Sequence, residues 1–247
     1  MSDETTPLKG AIDRTCISYW FPVIEANGIP VPKTRVIRTD APLWNLLDGE
    51  PVPGLDAFLE QLRGAIKDVG GPPAFLRTGH TSGKHDWRRT CYYAGEHLLE
   101  YHVFCLVEYS HLVDLMGLPT DVWVARELLP TEPAFIAFNG MPITRERRYF
   151  VRNGVIIDHH PYWPPNAFDR TEITVPDWQD RLAAISQESP EEVQELTDLS
   201  TRVSRLLDGF WSVDWLWVPS RGWICTDMAE GDRSWHWTRE EREGLAG

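Results

Sequence analysis

Apolar residues recur at helical spacing in two stretches near the start of the chain. One stretch, CISYWFPVIEAN at 16–27, is followed by IPVPKTRVI, whose β-branched residues favour a strand. The other, LDAFLEQLRGAIKDV at 55–69, ends at the GGPP break of 70–73. We therefore predict a helix, a strand and a second helix in a small α/β region at 1–70, separate from the main domain at 71–247.

Strand and helix patterns follow one another along the middle of the chain. FLR begins a strand, a short strand is expected at 89–93, and a long stretch at 97–117 has mainly helical character. DVWVARELLP then indicates a buried strand. Two Asn-Gly pairs, at 139–140 and 153–154, are strong hairpin signals, so we predict three strands of an antiparallel meander around them.

The last part of the chain combines a well-marked helix with two strands. Ser189 is followed by Pro190 and, three residues after the serine, by Glu192, which predicts a capped helix running to about Gly209. Two strands joined through a Pro/Gly turn at 219–222 come next. Because strands and helices come in separate blocks, we predict an α+β fold and not a doubly wound parallel sheet.

Composition narrows the class of protein. The 247 residues, 42% hydrophobic and 25% charged, are typical of a soluble globular protein. A formal net charge of -13 argues against a general nucleic-acid binder, which presents a basic surface to phosphates. The start of the chain, MSDETTPLKG, lacks the parts of a secretion signal, and no apolar run is long enough to span a bilayer, so a cytoplasmic location is expected.

Tryptophans and cysteines add two expectations. The 12 tryptophans exceed what such a chain usually carries, so many must be buried or line a groove. The cysteines are widely spaced and form no zinc-binding pattern, so we expect four reduced, buried thiols: Cys16, Cys91, Cys105 and Cys225.

Several cations lie at or near predicted strands, namely Arg77, Lys84, Arg126 and Arg148. A buried cation needs an anion, because an unpaired charge in the interior costs several kcal/mol. Arg126 and Arg148 could therefore face a shared cleft that receives an anionic ligand. Alternatively, they could pair with Glu127 and Glu146 as structural salt bridges.

Two acids near the ends of the last strands suggest a metal site. The turn between Asp214 and Asp227 would set their carboxylates side by side on neighbouring strands, which is unfavourable unless a cation lies between them. Mg²⁺ suits such a site, since it takes a few carboxylates and completes its shell with phosphate and water. A solvent-facing pair at a sheet edge is the alternative.

The loop in FLRTGHTSGKHDW, residues 75–87, could be a surface hairpin or could lie over a phosphate chain. It is not a Walker A sequence, because Lys84 is followed by His85 where that motif needs Ser or Thr. Further along, His159 and His160 should point to opposite faces of an extended strand, so they should not bind one metal together.

The order of four segments resembles the ATP-grasp superfamily, particularly a divergent branch found in phage and bacterial proteins and in the eukaryotic chaperone that assembles translation initiation factor 2. The segments are FLRTGHTSGKHDW, VWVARELL, ERRYFVRNG and WSVDWLW with GWICTDMAEG. The likeness covers about residues 72–237. It implies two α+β subdomains that clasp a nucleotide, preceded by a short α/β segment.

The resemblance also implies roles for single residues. Arg77 and Lys84 would contact the phosphates, with Lys84 on a mobile loop that closes over the nucleotide. A hinge would receive adenine and ribose, and it comprises Glu127, Leu128 and Leu129, with Arg126 just before it. Glu146, Arg148 and Phe150 match an E-x-R-x-F pattern, in which the arginine faces the transferred phosphate or the substrate.

The metal ligands implied by the resemblance are Asp214 and Asp227. The superfamily often has an asparagine two residues after the second acid, where this chain has Ala229. We expect Glu230 to act as the third ligand, with Asp232 as the alternative.

The function implied is an ATP- and Mg²⁺-dependent ligase that activates a carboxylate as an acyl phosphate for attack by an amine or other nucleophile. Lys84 and Arg148 would be its catalytic residues, because phosphoryl transfer depends on positioning and charge neutralisation. The carboxylate would belong to a small molecule, a peptide or a protein. The alternative is a nucleotide-binding assembly factor that performs no ligation.

Overall fold

Two four-stranded antiparallel sheets organise the chain. The computed structural model describes residues 13–95, 98–169, 171–238 and 241. Within them, a two-stranded sheet accompanies the two larger ones. The class is α+β, as predicted.

The first sheet has the strand order β1-β4-β2-β3. Its strands are β1 Thr34–Arg38, β2 Ala74–Thr78, β3 Tyr92–Tyr93 and β4 Val122–Glu127. Three helices belong to this half of the chain: α2 Asn45–Asp48, α3 Leu55–Asp68 and α4 Leu99–Leu112. Leu62, Leu106 and Trp123 share one core, which joins α3 and α4 to β4. The other face of β4 points away from this core and is free to carry Arg126.

The second sheet has the order β10-β9-β7-β8. Its strands are β7 Glu146–Arg152, β8 Val155–Pro161, β9 Phe210–Val218 and β10 Gly222–Glu230. Two helices pack on one face, α1 Ile17–Ala26 and α6 Pro190–Leu206. Ser189 caps α6 as predicted, since its hydroxyl accepts a hydrogen bond from the backbone N–H of Glu192 at 3.2 Å. Trp211 and Trp215 are fully buried in the core beneath this sheet.

A smaller sheet corrects one prediction. The stretch around the two Asn-Gly pairs forms four strands in two sheets, not one three-stranded meander. Asn139 and Gly140, with φ of 56° and 101°, turn the chain between β5 Phe135–Ala137 and β6 Met141–Ile143. Thr144 and Arg145 then separate β6 from β7, so β5 and β6 pair only with each other.

Other boundaries also differ from the predictions. The second strand of the 75–93 hairpin covers only Tyr92–Tyr93. The helix predicted over 97–117 ends at Leu112, and residue 97 lies outside the described residues. Helix α5, Trp178–Ser186, was not predicted; with Trp163 and Phe168 it encloses a third core beside β5 and β6.

The first part of the chain is built into the first sheet. Strand β1 pairs with β4 from Thr34↔Arg126 to Arg38↔Val122, and α3 shares its core with β2 and β4. The division at residue 70 stays a prediction. The stretch MSDETTPLKG lies outside the described residues, and among the described helices none has the length and apolar character needed to cross a bilayer. All four cysteines are free and buried, as expected.

Candidate functional site

A cavity that opens to solvent is lined by residues of both large sheets. Its apolar lining includes Phe75, Trp87, Leu128, Leu129, Met141 and Leu216. Its charged lining comprises Arg77, Lys84, Arg126, Glu127, Glu146 and Asp227. Each of these charged residues was predicted for the site from the sequence, so the fold brings most of the predicted set together.

Arg126 is a buried cation whose hydrogen bonding is incomplete. Its side chain lies on β4 with only 4% of the residue exposed, and Nη1 donates to the carbonyl of Thr226. Within the described part of the chain, Nε and Nη2 are buried and have no hydrogen-bond partner. Burial and the nearby charge of Arg77 lower the pKa of Arg126 to about 10, so it stays protonated at neutral pH. A buried cation with two unsatisfied donors in a cavity wall favours an anionic ligand.

Arg77 forms an ion pair with one of the predicted metal ligands. Its Nη1 lies 2.8 Å from Asp227 Oδ1, and its Nε donates to the Thr78 carbonyl at 3.1 Å. Burial alone would raise the pKa of Asp227, but Arg77 and Arg126 hold it below its ordinary value. Asp227 is therefore ionised at neutral pH and lies beside two cations.

Arg148 forms a bidentate ion pair with Asp214, the other predicted metal ligand. Its Nε and Nη2 donate to the two carboxylate oxygens of Asp214 at 2.7 and 2.8 Å. The strand register places Arg148 opposite Asp214, and Asp214 opposite Asp227. The predicted neighbourhood of the two aspartates is thus confirmed. The alternative of a solvent-facing pair at a sheet edge is wrong for Asp214, because β9 lies between two strands and Asp214 is buried, whereas Asp227 lies on the edge strand β10 with its carboxylate 40% exposed.

The structural salt bridges considered for the strand arginines are also wrong. Glu127 accepts at Oε1 from the backbone N–H of Lys33 at 2.6 Å and pairs with Arg221 at 2.7 Å. Glu146 accepts from Trp163 Nε1 at 2.9 Å. Both carboxylates are therefore bound by other groups, and the strand arginines remain available to the cavity and to Asp214.

Lys84 is held among aromatic and acidic groups. Its Nζ lies 3.9 Å from the centre of the Tyr162 ring and 5.0 Å from that of Trp163. Burial would lower the pKa of Lys84, but Tyr162, Glu146 and Asp214 raise it. Burial raises the pKa of Glu146 in turn, although Lys84 opposes this shift. Tyr162 is a site residue that the sequence analysis missed; the aromatic PYWPP segment was its only signal.

The loop that carries Lys84 packs closely against the protein. Thr90 Oγ1 donates to the carbonyls of Gly83 and Asp86, both at 2.8 Å. Gly83 has φ of 61°, and a Cβ there would lie 2.9 Å from Thr90 Cγ2. Lys84 begins a short 3-10 helix, Lys84–Asp86, between β2 and β3. The 75–93 segment is thus a hairpin whose connection reaches the cavity through Lys84, and its role over a phosphate chain stays a prediction.

Glu230 lies apart from the two aspartates. It pairs with Arg14 and Arg233, each at 3.9 Å, and lines a separate surface pocket with Asp13 and His80. Asp232 is exposed in a following 3-10 helix. Among the described residues, no group of three or more His, Cys, Asp and Glu side chains is arranged to hold a metal ion.

The two aspartates are nevertheless oxygen ligands of the kind that Mg²⁺ prefers. The carboxylate of Asp227 is 40% exposed, and that of Asp214 is 9% exposed. The residues present therefore fit Mg²⁺ as a pair of carboxylates that need phosphate or water oxygens to complete the shell.

Three further residues singled out from the sequence lie on β7, the strand of Arg148, and on its neighbour β8. Phe150 is fully buried and stacks on His236, with ring centres 3.5 Å apart. His159 stacks on Tyr149, while His160 stacks on Trp237. The vicinal histidines thus contact different partners, as expected from the alternation of a strand.

Solved structures with a similar fold were found by comparison of coordinates. The VanG D-Ala:D-Ser ligase from Enterococcus faecalis matches 87% of this chain and 52% of its own, with a TM-score of 0.52 and 11% identity. The ADP complex of PurK, an N5-carboxyaminoimidazole ribonucleotide synthetase, matches 87% of this chain and 44% of its own, with a TM-score of 0.50 and 13% identity. The chain spans about half the length of these two proteins.

These likenesses establish the class of fold. The chain has the ATP-grasp fold, as the order of its sequence segments implied. No family model matches the sequence, and a search of curated proteins gives no match.

Proposed function

We propose that the cavity binds ATP. The observation that carries this proposal is Arg126, a buried guanidinium in the cavity wall with two donors that lack a partner among the described residues. Both donors are covered by neighbouring groups in the free protein, and a phosphate that reached them after those groups moved would satisfy both at once, because a guanidinium presents its N–H groups as a fork. The ATP-grasp fold supports a nucleotide as the source of that phosphate.

The proposed pose follows from the chemistry of the lining. The apolar side chains of Leu128, Leu129 and Met141 offer a surface for the base, next to the hinge that carries Glu127. Arg77, Lys84 and Arg126 would receive the phosphates. Asp214 and Asp227 would hold Mg²⁺, which would neutralise part of the phosphate charge. Glu230 is paired with Arg14 and Arg233 in a separate pocket, so oxygens of phosphate or water would provide the third metal ligand.

We further infer that the reaction is ligation through an acyl phosphate. Lys84 and Arg148 would stabilise negative charge on the transferred phosphate, and an amine or other nucleophile would then displace it. This step needs no nucleophile from the protein, which agrees with a site built from cations and carboxylates. The names of the two similar structures, a ligase and a synthetase, support the same class of reaction.

A second function is favoured by one surface feature. Leu112, Leu115 and Met116, at the end of α4 and in the turn after it, are 74%, 97% and 88% exposed. Exposed apolar clusters often mark protein contacts. In this second proposal the protein is a nucleotide-binding assembly factor without ligation, and the link to the chaperone branch of the superfamily stays a prediction.

Calorimetry with Mg²⁺ and ATP tests the shared claim of both proposals. The wild-type protein should bind, and Asp227→Asn should weaken binding at least about tenfold, since each charged contact is worth roughly 1.5 to 3 kcal/mol. Asp198→Asn, at an exposed position of α6, is the matched control and should bind as wild type does. Absence of binding to the wild type, or equal binding by the Asp227 variant, would show that nucleotide binding at this cavity is wrong.

Turnover separates the two functions. A ligase should release ADP and phosphate only when a carboxylate and an amine are both present, across a panel of amino acids, peptides and proteins. Tight binding of ATP without such release, together with loss of a protein complex in a Leu115→Ser and Met116→Ser variant, would favour the assembly factor.

A further inference from the structure

The aromatic ring of Tyr162 is approached by two cations of the site. Lys84 Nζ lies 3.9 Å from the ring centre, and Arg148 Cζ lies 4.7 Å from it. The backbone N–H of Tyr162 donates to the carbonyl of Glu146 at 3.1 Å, so the ring is tied to the strand that carries Arg148. Cations are attracted to the face of an aromatic ring, and the attraction is stronger away from water.

The two cations stand in different places relative to the cavity. Lys84 is part of the cavity lining, whereas Arg148 and Asp214 are outside the set of described residues that line it. Since the Tyr162 ring contacts both cations, it lies where the nucleotide cavity meets the region around Arg148. The ring is therefore in a position to meet a terminal phosphate that extends from Lys84 towards Arg148.

The region around Arg148 is bounded by the segment 234–237. Arg148 Nη1 lies 3.4 Å from the carbonyl oxygen of Trp235, and Trp235 itself is 56% exposed. Ser234 shares a hydrogen bond with Ser212 of β9 at 2.5 Å. This segment is therefore held against the sheet beside Arg148, with Trp235 exposed to solvent.

We propose that Tyr162 is a positioning residue that closes the passage between the nucleotide cavity and the acceptor side. The inference rests on the proposed ATP site. In the free protein the ring lies against Lys84 and Arg148, so the terminal phosphate of ATP must displace it, while ADP has no group that reaches so far. Once displaced, the ring would lie over the terminal phosphate on the acceptor side and exclude water until an acceptor is present, since exclusion of water protects a reactive phosphate.

Substitution of the ring tests this role. Tyr162→Leu removes the ring, so the ratio of ATP to ADP affinity should rise about tenfold and ATP hydrolysis without an acceptor should rise several-fold. Tyr162→Phe keeps the ring and should stay within about twofold of wild type. Tyr19→Leu is a matched control, because Arg14 lies 5.5 Å from the Tyr19 ring outside the cavity.

A measurement on the unsubstituted protein covers the case in which the leucine variant does not fold. Fluorotyrosine-labelled protein would be followed by ¹⁹F NMR, with the Tyr162 signal assigned by its absence in Tyr162→Phe. A non-hydrolysable ATP analogue with Mg²⁺ should shift that signal, and ADP with Mg²⁺ should leave it in place.

The outcomes separate this inference from the function it depends on. If the wild-type protein binds neither nucleotide, the ATP site itself is wrong. If it binds both, and Tyr162→Leu changes neither the affinity ratio nor the hydrolysis rate, or the analogue and ADP shift the fluorine signal equally, the role of Tyr162 is wrong.

Discussion

Burial of Arg126 with unsatisfied donors costs free energy in the free protein, and a bound anion would recover that free energy. Its guanidinium is buried, donates to Thr226, and has two further donors without a partner among the described residues. Replacing such a group by an apolar side chain of similar length is often neutral or stabilising for the fold. Its retention in the cavity wall is explained if a ligand completes its hydrogen bonds.

Arg126→Met should therefore lose binding without losing stability. We expect ATP affinity to fall at least about tenfold, from the loss of charged hydrogen bonds. The free energy of unfolding in urea should stay equal or increase by about 1 kcal/mol. Arg221→Met removes the ion pair between Arg221 and Glu127 of the hinge. It serves as the control and should keep most of the ATP affinity. A large loss of stability in Arg126→Met would show that the arginine is structural.

A second residue-scale feature is a histidine in contact with a thiol. His80 Nε2 lies 3.4 Å from Asp13 Oδ2, and its Nδ1 lies 3.2 Å from Thr15 Oγ1. Burial disfavours the imidazolium, but Cys16, Asp13 and Asp121 raise the pKa of His80 above 6.5. Burial likewise disfavours the Cys16 thiolate, yet His80 and Ser18 lower its pKa.

The raised pKa of His80 predicts a pH dependence of stability. A group whose pKa is higher in the folded state stabilises the fold fully below the unfolded-state value of 6.5, and the effect disappears as pH rises through the folded-state value. The contribution of His80 to the unfolding free energy should thus be lost as pH rises above 6.5, whereas that of Cys16, whose pKa is lowered, should grow over the same range. Cys16→Ser removes the second contribution, so wild type and Cys16→Ser, each measured relative to its own His80→Gln variant, should show different pH profiles. Identical profiles would contradict the assigned contact between His80 and Cys16.

Residue types could be predicted for the site, but their partners could not. The spacing of Asp214 and Asp227 around one turn was enough to place them in register, because hairpin strands pair locally. The partner of Arg148 is 66 residues away in the chain, and no local pattern reports such a contact. Tyr162 was missed for the same reason, since its role follows from two cations brought to it by folding.

At the scale of elements, a buried ion network joins α5 and α6 to the second sheet. Arg147 on β7 is 1% exposed and donates to the carbonyls of Ile185 and Gln187 at 3.0 and 2.8 Å. Its Nε lies 2.6 Å from Glu192 Oε1, at the start of α6. The Arg147 side chain therefore connects β7 to the segment between α5 and α6.

Arg147→Met should destabilise the protein by about 3 to 5 kcal/mol, because it leaves the buried Glu192 short of a partner and removes the donor to the carbonyls of Ile185 and Gln187. The double variant Arg147→Met with Glu192→Gln should recover part of that loss. Urea unfolding measures both. Arg181→Met removes an exposed pair with Asp177 and should cost no more than about 0.5 kcal/mol. An equally small cost for Arg147→Met would contradict the proposed connection.

Elements were predicted where the local signal was strong. The capped helix α6 and the Asn153-Gly154 hairpin follow from residues that act within four positions of each other. The separation of β5 and β6 into their own sheet was not predictable in this way. Ala134, Phe135 and Phe138 turn toward a third core made with Trp163 and Trp178, which lie further along the chain. Sheet membership was decided by that packing.

At the scale of the whole molecule, the cavity lining connects both sheets. Arg77 and Arg126 come from the first sheet, while Leu216 and Asp227 come from the second. Ligand binding should therefore couple the stability of the two halves.

Hydrogen exchange measures that coupling. Mg²⁺ with ATP at about one hundred times its Kd adds roughly 2.7 kcal/mol to the folded state. We expect slower exchange of amides in β2 and β4 and also in β9 and β10, with smaller changes in α5, which lies beside the third core. Protection confined to a single sheet would show that the ligand binds one half only.

The two arginine–aspartate pairs have a consequence for how a ligand enters. Arg148 with Asp214, and Arg77 with Asp227, leave few uncompensated charges at the site, while the chain as a whole carries a formal charge of -13. Long-range attraction of a polyanion is therefore weak. If the cavity binds ATP with Mg²⁺ as proposed, entry would resemble ion exchange: each guanidinium would turn to phosphate only as its aspartate is released to another cation. A divalent ion alone or a metal-free nucleotide alone would meet just half of this exchange, so the proposed site would discriminate in favour of the neutralised complex before any chemistry begins.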